Sequence, residues 1–367
     1  MRILYTVNVG IAMQYFNSII KELVDEGHTV DIVANEAPSR VADFYRDIGC
    51  RVYPVSWTRS PVDPGNIAAI RELKKIIHNG NYDIVHCHTP VAAVCTRLVC
   101  RPLRKDGMKV IYTAHGFHFY NGAPLKNWLL FYPVEKLCAH WTDVLVTINK
   151  EDHERAKRKL KVESILYVPG MGVDVKRFSD TVVDRTMKRK ELGIPEDAFL
   201  LLSVGELNTN KNHRIVIRAL GELKDSNIHY MIAGQGALRD ALPELARECG
   251  VEKQVHILGQ REDIAELNKT ADVNVFPSLR EGFGLAAIEG MAAGLPLICA
   301  DNRGTREYAD SDNSIVCRAD DVKAFANAIS ALNKDPALRR KLGEHGQETA
   351  KRFDTGKVNP LLHELYK

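Results

Sequence analysis

Residues 273–301 read VNVFPSLREGFGLAAIEGMAAGLPLICAD. Val273–Ser278 is a short apolar run that stops at Pro277, too brief for a helix, and it reads as a buried strand. Leu295–Asp301 (LPLICAD) has the same character. Between them lie a loop punctuated by Gly282 and Gly284 and then a helix that begins near Gly284. Strand, helix and strand in this order require a right-handed crossover and a parallel sheet. A membrane-spanning helix over Phe283–Ala300 is excluded by its internal glycines, Pro296 and the single charge at Glu289.

The alternation continues in both directions. Downstream comes SIVCR (314–318), and upstream come FLLLSVG (199–205), HYMIAGQG (229–236) and VHILG (255–259). An earlier series opens the chain with RILYTVNV (2–9), HTVDIVAN (28–35), YDIVHCH (82–88), KVIYTAH (109–115) and DVLVTIN (143–149). Helical spacing separates these strands over 11–26, 67–78 and 91–101. The pattern pauses over 117–139, and Pro169, Gly170 and Gly172 crowd a turn that marks a boundary. The expected architecture is α/β, with two successive parallel-sheet domains at 1–172 and 173–348. Ligands of such sheets lie beyond the carboxyl ends of the strands, so a cleft between two facing halves is the expected active site.

Composition narrows the class. With 367 residues, 45% of them hydrophobic and 26% charged, the chain has the balance of a soluble enzyme with a core in each half. A net charge of +3 gives no electrostatic case for a nucleic-acid partner. The eight cysteines form no CxxC pair and sit mostly among apolar residues, the usage of reduced thiols in a cytosolic protein. MRILYTVNVG runs straight into a strand, without an apolar signal core and cleavage site.

Three loops at strand ends carry the chemistry. In the loop at 278–284 the unpaired amides of a helix start, with the positive end of the helix dipole, form an anion seat suited to phosphate. Glu281 on this loop and Glu289 within the helix supply carboxylates that accept from hydroxyls, a pattern suited to a nucleotide sugar. Taken alone, Glu281 also fits a dipole partner and Glu289 a solvated helix residue. GELNTNKNH (205–213) adds close backbone approach at Gly205 and a cation for a diphosphate, Lys211. By itself it is equally a polar loop with Asn210 or Asn212 as helix cap. The segment Thr113–Tyr120 places His115 beyond a strand end, where it meets a sugar or a leaving phosphate oxygen.

Other signals are weaker. His86-Cys-His88 suggests a metal pair, but no third ligand is close in sequence and adjacent strand positions alternate faces. Asp310-Ser-Asp312 spells the DxD of metal-dependent sugar transfer, yet it falls in a turn away from an early strand. FHFYNGAPLKNWLLFYPVEK (117–136) is dense in aromatics. Its Trp128, Phe131, Tyr132 and Glu135 do not separate cleanly into two faces by type. The basic runs Arg97–Lys109 and Arg155–Lys161 suit an interfacial or lipid-acceptor contact there, and an ordinary core excursion fits as well.

Together these stretches resemble the family 4 retaining glycosyltransferases of GT-B fold, and among them the bacterial exopolysaccharide and capsule type. The carriers are Glu281 and Glu289 in E-x7-E, GELNTNKNH, IAGQG (232–236), HILGQREDI (256–264), YTAHGFHFY (112–120) and YDIVHCHTP (82–90). The resemblance implies two Rossmann-like domains facing each other across a cleft, the C-terminal one holding a nucleotide-diphosphate sugar. It implies His115 and Glu281 as catalytic residues, Glu289 on the ribose, and the amides of Phe283 and Gly284 on the distal phosphate. Gly205, Lys211, Arg280, Gly282 and Leu285 complete the donor set. Asn8, Gly10, His88 and His118 fall on the acceptor side, and no metal or cofactor is expected. A last helix near 349–367 is expected to cross back to the first domain.

Two departures stand out. Many relatives carry an arginine where this chain has Glu206, so Arg280 or Arg303 must share the phosphate charge with Lys211. The usual Gly-Gly loop after the first strand is reduced to Asn8-Val9-Gly10. The resulting expectation is transfer of a hexose or N-acetylhexosamine, with retention, from a UDP-sugar to an undecaprenyl-diphosphate-linked glycan in exopolysaccharide or capsule synthesis. It places the protein in the cytoplasm, peripheral on the inner membrane face. The rivals are a nucleotide-sugar 2-epimerase of similar fold and a non-catalytic nucleotide-sugar-binding assembly partner, the latter favoured by Glu206.

Overall fold

A computed structural model describes residues 1–367 except Pro38, Arg59, Pro61 and Val62. The chain divides into two compact units, Met1–Gly172 together with Gly356–Lys367, and Val173–Thr355.

Among the described residues the first domain holds seven strands: β1 (Arg2–Val9), β2 (Thr29–Asn35), β3 (Arg51–Pro54), β4 (Ile84–His88), β5 (Lys109–Ala114), β6 (Val144–Thr147) and β7 (Ser164–Tyr167). All pair in parallel, in the order β3-β2-β1-β4-β5-β6-β7. The edge strands β3 and β7, four residues each with no fully buried position, are missing from the sequence reading. The second domain has six: β8 (Phe199–Val204), β9 (Ile228–Ala233), β10 (Val255–Gly259), β11 (Val273–Phe276), β12 (Leu297–Ala300) and β13 (Ser314–Cys317). These are parallel in the order β10-β9-β8-β11-β12-β13.

Strand alternation explains why both faces of the second sheet are dry. Leu201, Tyr230, Ile232, Val273 and Val275 pack with Val216, Leu220, Phe325 and Ile329 on one side. Leu200, Leu202, Met231 and Ala233 pack with Leu267 and Leu295 on the other. Each such fully buried side chain contributes about 1.5–3 kcal/mol of transfer free energy. In both sheets the winding reverses beside the first strand, between β1 and β4 and between β8 and β11. These reversals open the crevices where open parallel sheets bind ligands.

Several details differ from expectation. The segment 11–26 is a 3₁₀ stretch, Gly10–Phe16, followed by the helix Asn17–Asp25. The pause at 117–139 contains a full helix, Leu125–Ala139. Phe283–Ala300 is a short helix, Leu285–Ala292, then β12, and no helix among the described residues is long and apolar enough to cross a membrane. The returning segment starts at Gly356 rather than near 349, because Pro336–Ala350 is one helix of the second domain. Backbone bonds from Val173 to Phe353 and from Thr355 to Val173 tie the chain there until it leaves.

Candidate active site

In the second domain the loops leaving β8 and β11 are tied together. The Leu279 amide donates to the Asn210 carbonyl (2.8 Å), and Asn210 Nδ2 donates to the Arg280 carbonyl (2.9 Å). Asn212 does not cap the following helix through its side chain; its Nδ2 donates to the carbonyls of Pro277 (3.2 Å) and Ala319 (2.9 Å). This seam brings Lys211 Nζ to 2.7 Å from Glu281 Oε1. The lysine stem lies along Gly205, where a Cβ would stand 3.2 Å from Cε. Two motifs far apart in sequence therefore form one polar cluster at the point where the strand order reverses.

The helix start beside this cluster depends on Gly284. Its φ of 98° is left-handed, and a Cβ there would lie 2.7 Å from the Phe276 ring and 2.8 Å from the Tyr308 hydroxyl. Only glycine satisfies both constraints. No side chain caps the helix Leu285–Ala292, so its N-terminal amides are not engaged by a cap. Asn274 Nδ2 donates to the Ala286 carbonyl (3.0 Å) and pins the first turn to β11. The loop after β12 supports the other side: Asn302 Nδ2 donates to the Ser278 carbonyl (2.9 Å), and the buried Arg303 donates through Nε to the Glu281 carbonyl (3.2 Å). Phe283 packs edge-on against Tyr308 and Phe353, while Arg280, Gly282 and Leu285 stay half-buried.

Glu289 lies one turn further along the helix, half-buried, and its carboxylate has no hydrogen bond or ion pair among the described residues. Burial pushes its carboxyl up to about 7, with Arg177 pulling the other way. Glu206 is exposed.

The first domain gathers its histidines where β4 and β5 end. His86 and His88 are two positions apart on β4 and share one face, which corrects the alternation argument against them as a pair. The third histidine comes from the next strand: His115 Nε2 lies 3.1 Å from His88 Nδ1. The nitrogens of His86 are engaged by the Tyr366 hydroxyl (2.6 Å) and Thr113 Oγ1 (2.7 Å). Among the described residues no group of three or more acidic, histidine or cysteine side chains is placed to hold a metal. Burial lowers His86 to about 3 and His115 to about 4, and holds His88 well below the usual range, so all three are neutral at pH 7. Asp310 and Asp312 form a local turn, the Asp312 amide donating to Asp310 Oδ1 (2.9 Å).

The residues expected on the acceptor side have structural partners within the first domain. Asn8 Oδ1 accepts from the Ala92 amide (2.7 Å) and from Thr89 Oγ1 (3.0 Å), so Asn8 caps the helix Pro90–Cys100 from a neighbouring strand. Gly10 makes room for another backbone: a Cβ there would fall 2.3 Å from the Ser39 carbonyl oxygen. His88 is fully buried beneath Phe16 and His115, not presented at a surface. His118 is half-buried and stacks on Phe131 at 4.4 Å. His115 alone of the histidines that close these strands keeps partial exposure.

The sequence model of Glycosyltransferase Family 4 matches residues 13–177, and that of Glycosyl transferases group 1 matches residues 184–349. EpsD of Bacillus subtilis (strain 168), provisionally named a glycosyltransferase, is 44% identical over 84% of this chain and 82% of its own. The chain is a family 4 glycosyltransferase of GT-B fold. The UDP-Gal:alpha-D-GlcNAc-diphosphoundecaprenol alpha-1,3-galactosyltransferase of Escherichia coli is 28% identical over 74% of this chain and 73% of its own. Anabaena HepE, solved with UDP-glucose, superposes with a TM-score of 0.84 at 19% identity, covering 100% of this chain and 99% of that one.

For this glycosyltransferase the sequence motifs located the strand-end loops but not what braces them. Asn274, Asn302, Tyr308 and Tyr366 act on the site's framework from other elements. The Asn302-Arg-Gly-Thr turn was the one available signal: Asn302 Oδ1 caps the amides of Gly304 (2.9 Å) and Thr305 (3.1 Å), a pattern typical of helix starts.

Proposed function

We propose that this enzyme transfers a hexose or N-acetylhexosamine from a UDP-sugar to an undecaprenyl-diphosphate-linked glycan, with retention of configuration. The observation that carries the donor half is the Lys211–Glu281 pair set beside the uncapped helix start at Gly284. The helix amides and Lys211 stabilise the departing diphosphate, and Glu281 accepts hydrogen bonds from the sugar. Glu289, in its ionised form, accepts from the ribose hydroxyls. Arg303, anchored at Glu281, supplies the second cation that Glu206 does not. The solved relative with UDP-glucose and the UDP-Gal-dependent relative support the choice of base.

Transfer on the same face breaks the bond from the anomeric carbon to the phosphate oxygen and forms one to the acceptor oxygen. The acceptor's proton goes to the leaving phosphate, and His115 hydrogen-bonds the donor sugar as charge develops. The α-1,3 linkage in the E. coli relative's name and its lipid-diphosphate acceptor support retention and a lipid-linked glycan. An exopolysaccharide or capsule role rests on the resemblance of the sequence motifs to that group of enzymes. We place the enzyme on the cytoplasmic membrane face through the helix Leu125–Ala139, whose outer side is apolar.

The test is transfer from UDP-sugars to a synthetic polyprenyl-diphosphate glycan. Glu281→Ala and His115→Ala should each lower kcat by about 100-fold or more while leaving the fold intact. A wild type that binds UDP-sugars but neither transfers nor hydrolyses them is an idle binding partner. One that releases free sugar without an acceptor is an epimerase-like enzyme. The reaction is proposed to need no metal, so full activity should survive excess EDTA; loss restored by Mg²⁺ or Mn²⁺ overturns that part.

A further inference from the structure

We propose that His88 is a positioning residue that donates from Nδ1 to His115 Nε2 and thereby fixes His115 with its own proton on Nδ1, the nitrogen left for the sugar. This rests on reading His115 as the group that contacts the donor sugar.

The two ring nitrogens stand 3.1 Å apart, so one of them carries the shared proton. Both rings are neutral at pH 7, because burial lowers each of them. Two arrangements remain. If His115 donates, His88 must hold its proton on Nε2, and that N–H is buried with no acceptor among the described residues. If His88 donates, the unpartnered atom at Nε2 is a lone pair instead. Orphaned buried N–H groups are the rarer of the two, so donation by His88 is the favoured state. His115 then has Nε2 occupied as an acceptor, and Nδ1 must carry the remaining proton.

The ring of His88 is held in place by its neighbours. Tyr5 stacks on it at 5.4 Å and 17°, Phe16 lies at 4.4 Å, and His86 at 4.1 Å. His86 does not compete for the His88 proton, because Tyr366 and Thr113 occupy both of its nitrogens. The cage includes nearly the last residue of the chain, since the Tyr366 hydroxyl bridges His86 and the Tyr5 hydroxyl. An N–H there can donate to a hydroxyl oxygen of the sugar and hold it in place, whereas the opposite tautomer would present a lone pair.

The experiment is nitrogen NMR on the full chain with selectively labelled histidine, the His115 signals assigned by comparison with His115→Ala. Wild type should show His115 protonated on Nδ1. His88→Phe keeps the aromatic packing but has no donor; His115 should shift toward the Nε2–H form, and kcat should fall about 100-fold with donor KM little changed. His88→Asn, whose amide nitrogen stands near the place of Nδ1, should restore the Nδ1 pattern and most of kcat. His115 protonated on Nε2 in wild type, or unchanged in His88→Phe, overturns the proposal. Should the tautomer follow His88 while His115→Ala keeps full turnover, the coupling stands and the catalytic reading of His115 fails.

Discussion

A carboxyl pushed up to about 7 by burial, as Glu289 is, changes charge inside the working range of an enzyme. The folded protein holds this proton more tightly than the unfolded chain does. Between the ordinary carboxylate range and about pH 7 the folded state therefore carries the extra proton, and stability falls as pH rises through that window. Glu289→Gln removes the linkage, so its melting temperature should drop less than that of wild type between about pH 5 and about pH 8. Donor binding runs the other way, because the ionised carboxylate is the stronger acceptor for ribose hydroxyls. Donor KM should fall as pH rises through about 7 in wild type and stay level in Glu289→Gln. A level wild-type profile would remove Glu289 from the donor site. Sequence spacing picked out Glu281, Lys211 and Glu289 because each belongs to a strand-end loop or to the helix it opens, with glycines beside the loops. It gave no sign that Asn8 also caps a neighbouring helix or that Gly10 makes room for a passing backbone. Such through-space partners leave no local pattern.

At the scale of elements, the helix Leu125–Ala139 shows where periodicity fails. Its inner side carries Trp128, Phe131 and Tyr132 against Phe119, with Glu135 in a buried ion pair to Arg97 (2.9 Å) under the Tyr112 ring. Its outer side carries Leu125, Leu129, Leu130, Val134 and Leu137, and Leu125 and Leu129 are 73% and 70% exposed. The two faces are distinct in space, but the sequence could not separate them because both are apolar and the inner one holds the charge. The strands were easier to read, since runs such as FLLLSV are buried on both sides. An exposed leucine ridge of this kind marks an interaction surface. Lys126 and Lys136 flank it, and the adjacent helix Lys150–Lys159 exposes Lys157, Arg158 and Lys159. Each basic residue near an anionic bilayer contributes about 1 kcal/mol. The protein should co-sediment with phosphatidylglycerol vesicles, and less so with phosphatidylcholine or at high salt. Leu129→Ser with Leu130→Ser should lower vesicle binding about tenfold or more while leaving transfer to a short water-soluble acceptor unchanged. Equal binding by the double variant excludes this ridge as the contact.

On the scale of the whole molecule, the first domain is discontinuous: residues 1–172 fold with 356–367, and the second domain lies between them in sequence. The end of the chain is thus part of the core of its beginning. Asn359 Nδ2 donates to Glu22 (2.6 Å), and His363 Nε2 meets the other Glu22 oxygen at 2.9 Å. Tyr366 is buried among Tyr5 and His86. Deleting residues 364–367 removes an aromatic side chain from a closed site and leaves a His86 nitrogen without its partner. Loss of a buried aromatic costs about 3–5 kcal/mol, and an orphaned buried polar atom about 1–3 more. That is a large share of a domain's stability, so the first domain should melt well below wild type. The second domain keeps every residue of the Lys211–Glu281 cluster and of its bracing loops, so a UDP-sugar should still raise the melting temperature of its own transition. Transfer activity should be lost even so. Tyr366→Phe separates packing from hydrogen bonding: it should recover most of the stability and leave the His86 defect. Were the truncated protein to lose donor binding and first-domain stability together, the tail would support both domains, and its role as a strap of the first alone would be wrong.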